Sequence, residues 1–360
     1  PQATARLNGN RETTNYGGDN FDADPERSLT ASISWELDLW GNLRWARDHS
    51  TAGFLASVEN CRAVKMGLVA QVAQSYFELM ALDNELAIVR RTLEARREGV
   101  RLAEIRFKGG LTSEIVFQQA KVELAKTATM VPDLERRISL KESEIALLTG
   151  DFPYAVNRNV LPEEIQLPDA LPLGLPSTLL ERRPDIRKAE RELMAAHAEV
   201  GLAYTNMFPR LALTATLGAE SETLRDLLKS PYSYLAGNLL SPLFAMGKNR
   251  AALKAKRAAY EGAVAEYEKT VLTAFKETHN AIINFNKIKD IYESRRQLAE
   301  ASRTAVELAQ LQYINGVIGY LDLLDAQRNY FDAQVSLSNA VCDKQLMIIN
   351  LYKALGGGWK

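Results

Sequence analysis

The sequence predicts an α+β membrane protein: a transmembrane β-barrel shared between protomers and continued by a long α-helical coiled-coil barrel. Three observations predict it. The chain repeats itself, apolar residues recur every seventh position through long segments, and the strands before those segments alternate without a charge on their apolar side.

The repeat comes first because it organises the rest. Shifting the 360-residue sequence by 206 positions aligns Leu37 with Leu243, Gly41 with Gly247, Arg44 with Arg250, Gly110 with Gly316, Ala120 with Ala326 and Gly150 with Gly356. Arg97 and Arg303, Val100 and Val306, and Leu102 and Leu308 keep the same offset, and Phe107 meets Tyr313 just before the shared glycine. One register held from end to end reads as an internal duplication.

Each copy carries a coiled-coil seam. Val72, Leu79, Leu86, Leu93, Val100 and Phe107 are seven apart, answered by Phe285, Tyr292, Ala299, Val306 and Tyr313. After the glycine the spacing resumes as Phe117, Leu124, Val131, Ile138 and Ile145, and in the second copy as Leu323, Tyr330 and Leu337, with Lys344 interrupting before Leu351. A period of seven implies left-handed supercoiling. Residues 42–108 contain no proline, so one helix there would reach about 100 Å at a rise of about 1.5 Å per residue. Gly109-Gly110, and Gly316 with Gly319, are expected to turn each long helix into an antiparallel partner. Pro132 is expected to kink the first returning helix.

The strands are read from alternation. In residues 28–39, Leu29, Ala31, Ile33, Trp35, Leu37 and Leu39 share one face and Ser28, Thr30, Ser32, Ser34, Glu36 and Asp38 the other. Residues 209–220 place Leu211, Leu213, Ala215 and Leu217 against Ala212, Thr214, Thr216 and Gly218. Weaker strands are expected at 2–16 and at 232–244, the latter with Tyr232 and Tyr234 as interfacial aromatics. Leu29, Ile33, Trp35, Leu37, Leu211 and Leu213 are the expected lipid-facing residues, since a cationic side chain there costs about 2–4 kcal/mol at the bilayer midplane. A half-buried sheet in a soluble domain alternates as well. Two hairpins leading into long helices favour the membrane, and four strands are too few to close a barrel, so several protomers must share it.

Composition excludes other classes. Lys and Arg number 44 against 45 Asp and Glu, leaving no basic field for nucleic acid. Cys61 and Cys342 offer no disulfide framework, and His49, His197 and His279 have no metal-ligand spacing. There is no Gly-x-Ser-x-Gly, and Gly356-Gly357-Gly358 lacks the Lys and Ser or Thr of a phosphate loop. No enzyme, metal or cofactor is expected. No run of eighteen apolar residues exists, which excludes a spanning helix and leaves a barrel open. The chain opens on Pro1 without a methionine, signal peptide or nearby lipidation cysteine, and is expected to be processed or truncated.

Specific motifs then suggest a family. Leu179-Leu180-Glu181-Arg182-Arg183-Pro184-Asp185-Ile186-Arg187, the segment from Ala203 to Pro209, Leu323-Leu324-Asp325-Ala326-Gln327-Arg328, and Leu351 through Gly356-Gly357-Gly358-Trp359 resemble the TolC/OprM-type outer-membrane factors, in their lipoprotein efflux branch. The resemblance runs through essentially the whole chain. It implies a homotrimer in the outer membrane of a diderm bacterium, with a twelve-stranded barrel, four strands from each protomer, and a twelve-helix periplasmic tunnel. It implies a periplasmic adaptor, an inner-membrane transporter of the resistance-nodulation-division (RND) type and outer-membrane lipid as partners, and export of drugs or other small toxic compounds. The rival readings are an exit duct for type I protein secretion, which the Arg-Arg-Pro-Asp motif disfavours, and a soluble coiled-coil scaffold.

The expected layout is barrel strands in 1–40, a helical hairpin in 41–150, and a proline-rich equatorial crossover in 151–178. A helix in 179–208, barrel strands in 209–246, a second hairpin in 247–356 and the start of a tail in 357–360 complete it. Function is expected at the hairpin tips. Asp322 and Asp325, three apart on one helix face, match the family's constriction aspartates and would stack carboxylate rings across the pore; alternatively one is simply an acid favoured by the helix N-terminus. Tyr313 matches a tyrosine that latches the closed tip, but its partner positions hold Ile318 and Val116. The polar latch is therefore expected to be missing, leaving apolar contact and the aspartates to hold the tip closed. Gly110, Leu111, Thr112, Gly316 and Val317 resemble the segments that touch the adaptor; as plain sequence they are equally well read as helix-hairpin turns.

Overall fold

A computed structural model describes residues 2–14, 22–158, 182–221, 225–241 and 246–357. Two strands, β1 (Gln2–Thr14) and β2 (Asp22–Leu37), precede helices α1 (Asn42–Lys108) and α2 (Glu114–Thr149). Helix α3 (Pro184–Thr205), strands β3 (Arg210–Ser221) and β4 (Pro231–Leu240), and helices α4 (Met246–Ile314) and α5 (Tyr320–Ala354) follow. The crossover beyond Arg158, the residues before Arg182, Gly358 and Trp359, and the ends expected for β1 at residues 15–16 and β4 at 242–244 lie outside the described residues. No described helix is long and apolar enough to cross a membrane.

The chain divides into two units, residues 1–57 with 188–268 and residues 58–187 with 269–360. The first contains one antiparallel sheet in the order β1-β2-β3-β4. Strand β2 stops at Leu37, two residues before the expected end, because Asp38 leaves the ladder to cap a helix. Its carboxylate accepts the N–H groups of Leu43 and Arg44 at 2.9 and 3.0 Å, satisfying orphan donors in the first turn of α1. Gly41, at φ 78°, permits the sharp change of direction. Trp45 then lies against Gly201 of α3, where a Cβ would come within 2.4 Å of the indole.

The second unit holds the apolar cores. Leu79, Leu82, Leu86 and Val89 of α1 pack on Leu134, Ile138 and Ile145 of α2 and on Val156. Arg158 ties the segment after α2 back to both helices through Asp83 at 2.9 Å and Glu142 at 2.5 Å. In the other hairpin, Ala281 and Phe285 of α4 pack on Leu351 and Ala354 of α5. Phe285 and Leu351 are Leu79 and Ile145 displaced by 206 positions, so the duplication is physical as well as textual. Lys344, which interrupts the heptads, places its ammonium 4.9 Å from the ring centre of the seam residue Tyr292, a cation–π contact that accommodates the break. Pro132 sits inside α2, whose helical assignment continues through it.

Leu79 is fully buried. Leu79→Ala is expected to lower stability by about 3 kcal/mol, the range for a core leucine that leaves a cavity, read as a reduced midpoint of unfolding in detergent.

Candidate functional site

The two hairpin tips are built alike. Helix α1 ends at Lys108 and α4 at Ile314, and the returning helices start at Glu114 and Tyr320. Gly110 and Gly316 take φ 71° and 74°, a left-handed backbone in which L side chains are strained. Leu111 donates its N–H to the Arg106 carbonyl at 2.8 Å, and Val317 repeats the bond to Gln312 at 2.9 Å. These bonds close each helix and push Leu111 and Val317 outward, 73% and 71% exposed. Gly110 and Gly316 are exposed with them, whereas Thr112 is half-buried.

Asp322 and Asp325 are both exposed on the first turns of α5. Asp322 accepts the Gly319 N–H at 3.0 Å and so caps its own helix, while Asp325 accepts from the Asn329 amide at 3.2 Å. Each keeps acceptor capacity toward solvent. Tyr313 is instead buried inside the tip, 5% exposed. The Arg106 guanidinium lies 4.7 Å from its ring centre and the Tyr320 ring 5.8 Å away. Burial and the neighbouring Tyr313 push the Tyr320 phenol above its ordinary range.

A polar tie does join the two hairpins, through Arg96 and Glu123, which the sequence reading did not single out as site residues, and Arg328, which it quoted only within a family motif. Glu123 of α2, 4% exposed, takes Arg96 of α1 on one carboxylate oxygen and Arg328 of α5 on the other. Burial opposes ionisation of Glu123, but the hydrogen bonds from Arg328 and Arg96 outweigh it and hold the carboxyl at about 2. A signal for this cluster existed. Ser75, Leu82, Val89, Arg96 and Ala103 are seven apart, so Arg96 stands in a buried stripe of α1, where a charge requires a partner. The cluster also breaks the duplication, because Glu123 and Arg96 correspond to Asn329 and Ser302 in the second copy.

The sheet inverts the pattern of a soluble protein. Leu29, Ile33, Trp35, Leu213 and Leu217 are exposed, and Ser28, Thr30, Ser32, Ser34, Thr214 and Thr216 between them are half-buried. Leu37 and Leu211 pair across the same apolar face and are half-buried. Trp35 pairs with Leu213, Ile33 with Ala215 and Ala31 with Leu217, so the apolar residues are continuous from strand to strand. On the other face Ser34 and Thr214 hydroxyls meet at 3.2 Å. Tyr232 and Tyr234 are corrected by the register. They pair with Gly218 and Thr216, which places them on the polar face, not among the apolar residues expected to meet lipid. The Tyr232 ring covers Gly218 so closely that a Cβ there would meet it at 2.4 Å.

The Arg-Arg-Pro-Asp motif is a structural joint. Arg183, 4% exposed, donates to Asp185, to Glu277 and to the Ala354 carbonyl, and Thr278 donates to that same carbonyl at 3.2 Å. Burial works against the Arg183 charge, and the hydrogen bonds it donates to Asp185 and Glu277 raise its pKa above the ordinary value. Gly356, at φ 77°, passes the Arg182–Arg183 backbone where a Cβ would come within 3.0 Å. Cys61 is exposed and Cys342 buried; burial, with Asp343 and Glu78, pushes the Cys342 thiol up to about 11 and keeps it protonated. His49 faces the Ala195 carbonyl and His197 packs between Trp45 and Tyr260, while His279 is exposed. Among the described residues no group of His, Cys, Asp or Glu could hold a metal ion.

An outward apolar sheet joined in sequence to paired, duplicated helical hairpins defines an outer-membrane channel subunit rather than an enzyme. The chain belongs to the outer membrane efflux protein family, whose model matches residues 1–151 and 175–357. It is 35% identical over 335 residues to the outer membrane protein OprJ of Pseudomonas aeruginosa, covering 90% of this chain and 68% of that one. It is 33% identical to the solvent efflux pump outer membrane protein SrpC of Pseudomonas putida, over 93% of this chain and 72% of that one. The outer-membrane channel OprN shares the fold with a TM-score of 0.91 at 30% identity, over 99% of this chain and 82% of that structure.

The buried carboxylate makes a prediction with a definite sign. Because Glu123 titrates lower in the folded than in the unfolded state, its stabilisation is complete above the ordinary carboxylate value of 4.5 and is lost as pH falls toward about 2. The stability difference between the wild type and Glu123→Gln is expected to be on the order of 3 kcal/mol at neutral pH and to shrink through that window. Unfolding midpoints of both proteins across pH 2–7 check it, with pH 2–7 spanning roughly both limits.

Proposed function

We propose that three copies of this chain close one twelve-stranded barrel in the outer membrane, and that their helical hairpins form the periplasmic exit tunnel of a tripartite efflux pump. The observation that carries the assembly is the inverted sheet, with Leu29, Ile33, Trp35, Leu213 and Leu217 outward and two unpaired edges at β1 and β4. Leu37 and Leu211 extend the same apolar face. Lipid takes up that face, and neighbouring copies take up the edges, because exposed strand edges are not tolerated in hydrocarbon.

At the other end, Gly110, Leu111, Thr112, Gly316 and Val317 form the surface for a periplasmic adaptor, supported by the protruding apolar pair Leu111 and Val317. An inner-membrane transporter of the RND type supplies the energy, and the cargo is a small toxic or apolar compound, consistent with the solvent efflux named for SrpC. The gate combines two elements. Exposed Asp322 and Asp325 supply carboxylates around the pore, and the Arg96–Glu123–Arg328 tie, with Tyr313 buried beside Arg106, holds the two hairpins of each protomer together.

The purified channel in planar bilayers tests this reading. Replacing both aspartates (Asp322→Ala with Asp325→Ala) is expected to reduce cation selectivity and change resting conductance several-fold, since charged rings attract cations and repel one another. Unchanged resting conductance would remove the aspartates from the gate. Recovery of the protein from membranes without detergent would sink the duct itself.

A further inference from the structure

We propose that the hairpin tip encloses a binding site for one small monovalent anion of the halide class. The site is a cavity of about 40 Å³ lined by Arg96, Gly99, Glu123, Tyr313, Tyr320 and Leu324, among others. That is more than the roughly 15 Å³ a single water needs, and too little for an organic solute.

Two residues that line this space each carry a buried donor without a partner. The Arg96 side chain is 9% exposed; one of its terminal nitrogens is engaged by Glu123, yet its Nε–H bonds nothing. The Tyr313 hydroxyl is likewise buried and unbonded in a residue 5% exposed. Leaving a buried donor unmatched costs about 1–3 kcal/mol, so an acceptor is needed between them. Glu123 already accepts Arg96 on one oxygen and Arg328 on the other, and neither bond reaches Arg96 Nε or the Tyr313 hydroxyl.

Local charge decides between a neutral and an anionic occupant. Arg96, Arg106 and Arg328 gather around Tyr313, Tyr320 and Glu123, so three guanidinium groups meet one buried carboxylate. Asp325, whose field reaches Arg328, is exposed and accepts from Asn329. The cavity also borders the first turn of α5 at Tyr320, Leu323 and Leu324, the positive end of that helix. Excess cation, a helix N-terminus and two unmatched donors favour a small anion over water. Such an ion would bridge Arg96 on the first hairpin and Tyr313 on the second.

The test is crystallographic and does not depend on conductance, so it can fail while the efflux reading stands. The detergent-solubilised protein is crystallised with bromide replacing chloride, and anomalous differences are measured at the bromine absorption edge. A bromide peak within hydrogen-bond distance of Arg96 Nε and the Tyr313 hydroxyl is expected, and it should be lost in Tyr313→Phe, which keeps the ring beneath Arg106. Ordered water alone in the cavity, or bromide only at exposed lysines, overturns the proposal.

Discussion

Backbone groups that find no partner in hydrocarbon cost several kcal/mol each, and this constraint governs the molecule. The sheet has four strands in sequence-neighbour order, so β1 and β4 each present an open edge. Its apolar side chains face outward, as they would for a sheet set in hydrocarbon. A single chain offers no solution, since the ladder ends after β4. Repetition around an axis does, and the duplication within the chain multiplies the staves available to each turn of the wall. The strands set the assembly, and the helices inherit its symmetry.

The helical part meets a different requirement. Long helices with a heptad seam are stabilised by packing along their length, and the seam residues are buried or half-buried as far as Phe107 and Tyr313. At the tips the apolar supply runs low and charge enters the interior. Glu123 between two arginines is costly to desolvate and costly to break, which makes it a poor source of net stability but a strict determinant of register. Arg183 does similar work where α3 begins, fixing the end of α5 against α4.

Much of this was legible in the sequence. The turn glycines at Gly110 and Gly316 showed themselves by recurring at one offset, and the left-handed backbone at both explains why. The apolar face of β2 was legible because alternation assigns alternate residues to one side. Its end was not, since Asp38 fits the polar face as well as it fits a helix cap, and only the hydrogen bonds to Leu43 and Arg44 separate the two. Tyr232 and Tyr234 were misplaced for a related reason: alternation fixes which residues share a side, but the pairing with Gly218 and Thr216 fixes which side it is. Glu123 and Arg328 are 205 positions apart, beyond any local pattern, although Arg96 in an apolar stripe announced that a partner had to exist.

The inverted sheet also carries an order of events. The core around Leu79, Val89, Leu134 and Ile145 is buried by helices alone and can form in water. The sheet cannot, because in water Ile33, Trp35, Leu217 and Leu235 would remain bare, inviting adhesion to any other unpaired strand. A sheet with this face is completed only where something other than water covers Ile33, Trp35, Leu217 and Leu235. Where several copies share one barrel, completing the sheet depends on copies meeting, which makes it a concentration-dependent step.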